Sequence, residues 1–477
     1  MMKFTGVFDR VGEAVAGERV DPDVGNEIIA ALAAGKHELR VWVDTANEFG
    51  HHSTTMNMLK RTIGFGFTGP VRVFVALTDA AKLELFLPGY TAGAAQLVYQ
   101  GVTINFQYQG VPPDPQPLLI SGGSEAGTEE LKARLAGANC GFYLQLQPWF
   151  WKSLDQLFFV ESESGAVTNV ILDGQPTLGG RSYTFHAYTE LPPARNDAIW
   201  DSYSALPKFT KRVAMAKMIA DAAPDVYLQP TYGLASRSSK WAALLTLILG
   251  GLATQDLMAS LGMPVRPIIL LVFDGMEEPE WPLMEAWLTG TADDDECPGP
   301  LTSYVVENKV IRRLGFQYLD DTGALKDQLA YLQGNRLLVV AMPSCPDEIF
   351  RYFYGTASLP CVFEGRGTQN LVLNTGQPYL CTNSDGFPGP AFNEHAPPAA
   401  GLAHAVVSSL QGLASRYDTK VVSDFPSMRY ANALCALLRD PGALDYFRSL
   451  AASYRDPAHD KLRMALRYLR SVPGWTL

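Results

Sequence analysis

Short apolar runs alternate with helical patterns through the first half of the chain. Near-continuous apolar runs between helices are typical of a parallel sheet that is covered on both faces. The predicted strands are 39–45, 71–77, 102–106, 118–121 and 141–146, and the predicted helices include 53–63 and 129–135. We therefore expect a parallel α/β layer in this half.

After a less regular stretch at 148–193, the pattern resumes with helix 209–222 and strand 226–229, and the long apolar helix 240–261 follows. A second alternation then begins, with predicted strands 267–273, 337–341, 359–363 and 378–381 and predicted helices 281–288, 402–416, 426–438, 443–453 and 458–470. Ligands of doubly wound sheets bind beyond the carboxyl ends of the strands. The fold class expected is therefore α/β, with two Rossmann-like domains, 1–235 and 236–477, that face a central cleft.

The composition is that of a folded, acidic protein. Apolar residues make up 47% of the chain, and 49 acidic against 38 basic residues give a net charge of −11. Such a charge repels phosphate backbones, so we expect no nucleic-acid partner. The six cysteines form no CxxC pair and no zinc-binding spacing, which is typical of reduced thiols.

No segment predicts membrane insertion. The first 15 residues lack the apolar core of a signal peptide. The most apolar helical stretch, 241–252, spans about 12 residues, whereas a membrane-spanning helix needs about 20. We expect a soluble, cytoplasmic protein in which this stretch is a buried helix.

The first candidate for chemistry follows the first predicted strand. Asp44, Glu48, Gly50, His51 and His52 lie between that strand and the next helix. A histidine there can accept a proton from a hydroxyl nucleophile near neutral pH, and the glycine permits a tight turn. The alternative is that the two histidines only cap the helix or face solvent.

The second candidate follows strand 359–363. Glycines before a helix expose backbone N–H groups, the helix dipole favours anions, and an arginine adds a fork of donors for phosphate. An ordinary turn between strand and helix is the alternative. The candidate residues are Glu364, Gly365, Arg366, Gly367, Thr368, Gln369 and Asn370, with Asp385 after the next strand.

Three familiar motifs are incomplete or misplaced. The GxGxxG match at 64–69 precedes a strand and opens no helix, so it predicts a turn. The serine at 122–126 lacks the second glycine of a nucleophile elbow. The DxD spacing at 293–296 follows no apolar strand and predicts a solvated acidic loop.

The two candidate segments, in this order and in separate halves, resemble the GT-B class of nucleotide-sugar glycosyltransferases. The resembling stretches are 39–77, which carries a strand, a Gly-His turn and a helix, and 363–380, which reads FEGRGTQNLVLNTGQPYL. Two departures are the double histidine and the missing acidic pair after Gly-x-Pro, for which Asp385 is the nearest acidic residue.

The resemblance implies transfer of a sugar from a nucleotide-diphosphate donor, with the acceptor on the first domain and the donor on the second. His51 would be the general base, oriented by Asp44 or Glu48. Residues 365–368 would hold the diphosphate, and Glu364 or Asp385 would bind sugar hydroxyls. No metal and no further cofactor is implied, since a helix dipole and an arginine can stabilise the leaving diphosphate.

Two other functions remain open at this point. A nucleotide-sugar epimerase of the same architecture would need acid and base groups on both sides of the sugar, and no separate acceptor. A non-catalytic binding or scaffold protein could keep the fold without the chemistry. The nucleotide, the sugar, the acceptor and the stereochemistry of transfer are not specified by the sequence.

Overall fold

The computed structural model describes residues 27–45, 49–123, 127–146, 157–170, 177–178, 181–182, 191–234, 240–275, 280–289, 291, 299–382, 396–412, 425–457, 460–473 and 475. Contacts divide the chain into two compact units. The described residues of Pro192–Leu450 form one unit, and those of Glu18–Leu191 with Ala451–Leu477 form the other. The sequence-based domain limits of 1–235 and 236–477 stay a prediction.

Eight strands form the sheet of the unit that contains Glu18–Leu191, in the spatial order β3-β4-β2-β1-β5-β6-β7-β8. Its central strands pair in parallel, whereas β3, β7 and β8 pair antiparallel with their neighbours. The strands are β1 (Leu39–Trp42), β2 (Val71–Phe74), β3 (Gln96–Tyr99), β4 (Val102–Gln107), β5 (Gln116–Ser121), β6 (Cys140–Leu146), β7 (Leu157–Glu161) and β8 (Val167–Val170), and the two-residue strands β9 (Thr177–Leu178) and β10 (Arg181–Ser182) pair separately.

The expectation of a wholly parallel first sheet is wrong at its ends. Strands β3 and β4 form a hairpin whose two-residue turn, Gln100 and Gly101, has positive φ at both positions. That conformation matches the twist of antiparallel strands. The first sheet is therefore mixed.

Six parallel strands form the sheet of the other unit, in the spatial order β13-β14-β12-β11-β15-β16. Every residue of β12 and β14 is buried, as expected of strands covered on both faces. The strands are β11 (Tyr227–Thr231), β12 (Ile268–Val272), β13 (Leu314–Gln317), β14 (Leu337–Ala341), β15 (Cys361–Phe363) and β16 (Tyr379–Cys381).

Helices connect the strands and continue to the end of the chain. They are α1 (Glu27–Ala34), α2 (Phe49–Gly64), α3 (Ala80–Leu83), α4 (Thr128–Gly137), α5 (Asp197–Tyr203), α6 (Pro207–Ala222), α7 (Lys240–Ser260), α8 (Glu280–Thr289), α9 (Gly299–Glu307), α10 (Thr322–Ala330), α11 (Asp347–Gly355), α12 (Arg366–Leu373), α13 (Pro398–Ser408), α14 (Pro426–Arg439), α15 (Pro441–Arg455) and α16 (Lys461–Leu469). The fold class is therefore α/β, with a Rossmann-like arrangement of strands and helices.

Helix α7 is the one described helix that is long and apolar enough to cross a membrane. Its apolar window, Ala242–Ser260, is 83% buried within the protein. Helix α14 covers part of it, and the Tyr430 ring lies where a side chain on Gly250 would be. The sequence-based length of about 12 residues is therefore too short, since the apolar window has 19 residues. The predicted buried environment is confirmed, and the helix is weak evidence for a membrane span. A cytoplasmic location stays a prediction.

Each sheet reverses its direction of growth beside one central strand. From β1 the chain proceeds to β2 on one side and later returns to β5 on the other. From β11 it proceeds to β12 and later returns to β15. The helical connections on the two sides of the central strand then lie on opposite faces of the sheet. This leaves a crevice between them at the carboxyl ends of the strands. Both sequence-predicted candidate segments follow strands that border such a crevice.

Gly122 permits a close approach of backbones at the first of these crevices. It follows β5, and an added Cβ would lie 2.5 Å from the amide nitrogen of Thr55 in α2. The Gly122 amide donates to the Thr55 hydroxyl over 3.1 Å. Any larger residue must push helix α2 away from the sheet.

Replacing Gly122 with alanine should lower the free energy of unfolding by about 1–3 kcal/mol, because the new methyl group meets backbone atoms that cannot rotate away. Chemical denaturation measures this. Gly64→Ala is the matched control. Gly64 lies in α2, the helix that Gly122 approaches, and nothing lies within 4 Å of an added Cβ. It should leave stability unchanged or raise it by up to about 1 kcal/mol. Equal effects of the two substitutions would contradict the packing argument.

Candidate functional site

The first candidate site is centred on a carboxylate and an imidazole at the carboxyl end of β1. Asp44 follows this strand and is buried. His51 lies in the first turn of α2, which begins at Phe49, four residues earlier than predicted. Its Nδ1 lies 3.2 Å from Asp44 Oδ2. The structure therefore brings together two of the residues that the sequence predicted to act together.

Arg134 binds the other oxygen of the same carboxylate. It lies on α4, and its Nη2 donates to Asp44 Oδ1 over 2.5 Å and to Glu130 Oε1 over 2.6 Å. Burial lowers the pKa of Arg134, but Tyr143, Asp44 and Glu130 oppose this, and the pKa is raised on balance. The guanidinium therefore stays charged and compensates the buried carboxylate.

A hydroxyl pair lies behind this arginine. The phenol of Tyr143, on β6, is fully buried and lies 2.9 Å from the Ser121 hydroxyl at the end of β5. Burial raises the pKa of Tyr143, while Arg134 and Ser121 lower it. The phenol stays neutral and contributes a fixed dipole beside the guanidinium.

The two adjacent histidines have different surroundings. The His51 side chain is 15% exposed, whereas that of His52 is fully buried with its Nε2 3.7 Å from Asp79 Oδ1. Lys82 Nζ donates to the same Asp79 oxygen over 2.6 Å. His52 thus points toward the interior, since successive helical side chains point in different directions. Glu48, the other proposed orienting residue, lies outside the described residues.

The second candidate site begins at Gly365, directly after β15. Gly365 precedes α12 with φ +88° and ψ 151°, a conformation that only glycine adopts readily. The predicted loop residues from Arg366 onward form the first turns of α12. The first amides of this helix therefore lie beside the crevice between β11 and β15, where they favour an anion.

The predicted donor residues differ in accessibility. Glu364, Gly367 and Thr368 are partly exposed, whereas Gln369 and Asn370 are buried. The two buried residues are therefore better placed to support α12 than to contact a ligand directly. Their role in donor binding stays a prediction. The Arg366 side chain and Asp385 lie outside the described part of the chain.

Gly233 and Asp274 complete this edge of the second sheet, and sequence reasoning missed both. Gly233 follows β11 with φ +73°, and an added Cβ would lie 2.2 Å from the Glu364 Cβ. The Gly233 and Leu234 amides donate to the Asp274 carboxylate over 2.9 and 3.3 Å. Thr382, after β16, donates its hydroxyl to the Gly233 carbonyl over 2.7 Å. These bonds fix the loop that faces Glu364.

Asp274 has an altered acidity. Burial raises its pKa to about 6, although the two backbone amides and Lys240 lower it. The position of Asp274 after the apolar run 267–273 resembles that of Asp44 after β1, and this shared pattern is the sequence signal that could have identified it. A carboxyl with such a pKa can hold or release a proton near neutral pH.

Neither candidate site has the composition of a metal centre. Within the described ranges, no group of three or more histidine, cysteine, aspartate and glutamate side chains could hold a metal ion. The DxD segment at 293–296 lies outside those ranges. The chemistry that the described geometry supports is proton transfer at His51 and anion binding at the start of α12.

No protein-family model matches this chain, and no curated protein matches it significantly. Function must then be argued from the geometry of the sites.

Replacing Gly365 with alanine should lower the free energy of unfolding by about 1–3 kcal/mol, because the residue must adopt a backbone conformation that side chains disfavour. The matched control is Gly367→Ala, two residues later in α12, where φ is ordinary and nothing lies within 4 Å of the new Cβ. This substitution should stabilise the helix by about 0.5–1 kcal/mol. Urea denaturation distinguishes the two; opposite signs are expected, and a shared sign would count against the assigned conformation.

Asp274 should make stability depend on pH. Its pKa in the folded protein is about 6, above the ordinary value, so its contribution is fully present below about pH 4 and is lost as the pH rises through 6. Between pH 4 and 7 the wild type should therefore lose about 2 kcal/mol relative to Asp274→Asn. Denaturation of both proteins at several pH values measures this difference, and parallel pH curves would contradict it.

Proposed function

We propose that the protein is a glycosyltransferase of the GT-B kind, which moves a sugar from a nucleotide-diphosphate donor to a nucleophilic acceptor. The observation that carries the proposal is the His51–Asp44 contact at the switch point of one doubly wound unit. The glycine-initiated helix α12 at the equivalent point of the other unit agrees with it. Each is a place where such folds bind ligands. Transfer requires the two edges to face one another while both substrates are bound.

His51 is the general base of this proposal. A histidine whose Nδ1–H donates to a carboxylate presents Nε2 in the form that accepts a proton. The acceptor hydroxyl gives its proton to Nε2 as its oxygen bonds to the anomeric carbon of the sugar. The bond from that carbon to the diphosphate breaks, and the electron pair leaves with the nucleotide.

The start of α12 receives the leaving group. Backbone amides and the helix dipole stabilise negative charge that grows on the diphosphate. Arg366 is the residue that the sequence assigns to the same task, with Glu364 or Asp385 on sugar hydroxyls. In this mechanism the positive charge comes from the protein, so no metal ion is needed as a Lewis acid.

The assignment of the two candidate sites to different units agrees with a transferase. The His51–Asp44 pair and the start of α12 belong to different units. An epimerase needs both its acid and its base beside one sugar, whereas a transferase needs one place for the acceptor and another for the donor.

A panel of nucleotides and nucleotide sugars should identify the donor. One nucleoside diphosphate, and its sugar conjugate, should raise the melting temperature, because a ligand of the folded state stabilises it. The matching nucleoside without phosphate should have little effect. With the selected donor and no acceptor, slow release of free sugar supports a transferase. Release of an isomeric nucleotide sugar would indicate an epimerase. If no compound of the panel binds or is turned over, the proposal is contradicted.

Replacing His51 with glutamine should reduce turnover of that donor by about 10²–10⁴-fold, the usual contribution of a general base. Donor affinity should change little, because His51 belongs to the other unit. His37→Gln is the control, since His37 precedes β1 at the opposite edge of the sheet. If His51→Gln retains near-normal turnover while Glu48→Gln abolishes it, the glutamate is the base and the proposed role of His51 is wrong.

A further inference from the structure

We propose that Arg134 is a positioning residue: it holds the Asp44 carboxylate so that His51 keeps its Nδ1–H turned toward Asp44. The contacts among Arg134, Asp44 and His51 are observed in the structure. Their importance for catalysis rests on the proposed function of His51. No motif in the sequence marks Arg134.

The two oxygens of Asp44 have separate partners. Arg134 Nη2 binds Oδ1, and His51 Nδ1 binds Oδ2. A carboxylate held at one oxygen by a charged, short hydrogen bond has little freedom to rotate. The position of Oδ2, and through it the orientation of the imidazole, therefore depends on the guanidinium.

The surroundings of Arg134 distinguish this role from simple support of a helix. An arginine that served only α4 could pair with Glu130 at the surface, four residues away on the same helix. Arg134 does make that pair, but its side chain is only 5% exposed, and it also reaches across to Asp44 and Tyr143. A buried cation requires such compensation, and the more buried of its two carboxylate partners is the one that contacts His51.

The same geometry separates the roles of Asp44 and His51. Each oxygen of Asp44 already contacts a nitrogen, that of Arg134 or that of His51. Asp44 is therefore suited to orient the imidazole and to stabilise it once it is protonated. The proton of the acceptor then has His51 as its destination.

The tautomer of His51 in the full-length protein tests this inference without requiring activity. The protein is labelled with ¹⁵N-histidine, and the His51 signals among the seven histidines are identified by their loss in His51→Gln. In the wild type we expect the Nδ1–H tautomer to dominate. In Arg134→Gln the Nε2–H tautomer should become the major form, and Arg134→Lys should restore part of the wild-type population. Glu130→Gln, which leaves the Asp44 contact in place, should match the wild type.

Activity adds an independent measurement. With the donor identified above, Arg134→Gln should lower kcat by about 10–10²-fold, the scale of a misplaced catalytic group, with KM for the donor unchanged. If the tautomer shifts in Arg134→Gln but the wild type transfers no sugar, the positioning role of Arg134 is supported and the proposed function is overturned.

The inference itself is overturned by either of two results. One is a folded Arg134→Gln protein whose His51 tautomer is unchanged. The other is a wild type in which His51 already carries its proton on Nε2, a result that needs no variant and so decides the matter even where Arg134→Gln fails to fold.

Discussion

The ion pair between Arg134 and Asp44 is the interaction on which the first candidate site depends. Asp44 follows β1 directly, so the sheet and the helices that cover it remove its carboxylate from water. An unpaired carboxylate there would be neutral or would destabilise the fold. The guanidinium compensates the buried carboxylate, and in the proposed mechanism the same carboxylate orients the imidazole of His51. Fold stability and chemistry thus rely on the same contact.

Both crevices also require a glycine at a strand end. Gly122 lets α2 lie against β5, which sets the position of the turn that carries His51. Gly233 lets the backbone after β11 lie against Glu364, directly before the helix start at Gly365. In each unit a missing Cβ brings two chain segments together at the switch point, so the geometry of both sites is built into the backbone before any functional side chain is considered.

The sequence predicts the central strands well because they are continuous apolar runs, such as 71–77 and 337–341. It misses β3, β7, β8 and β13 for a physical reason. Strand β3 contains no buried residue, and β13 has a glycine and a glutamine among its four residues, so their patterns are short and mixed. The first helix turns are misjudged as loops at His51 and Arg366, since a glycine near a helix start resembles a turn. His51 is nevertheless the more accessible of the two imidazoles, which agrees with the preference for His51 over His52.

Sequence reasoning identifies Asp44 but misses Asp274, and the difference between the two comes from their partners in the fold. Asp44 and Asp274 each follow the apolar strand next to a switch point, and they look alike in the sequence. Asp44 gains a guanidinium from a residue 90 positions away, whereas Asp274 accepts two backbone amides and has a pKa raised toward neutrality. The same residue type in similar positions thus pairs with a guanidinium and an imidazole in one unit and with two backbone amides in the other. Because the difference lies entirely in what packs against each carboxylate, a motif can identify such a position, but only the fold decides its chemistry.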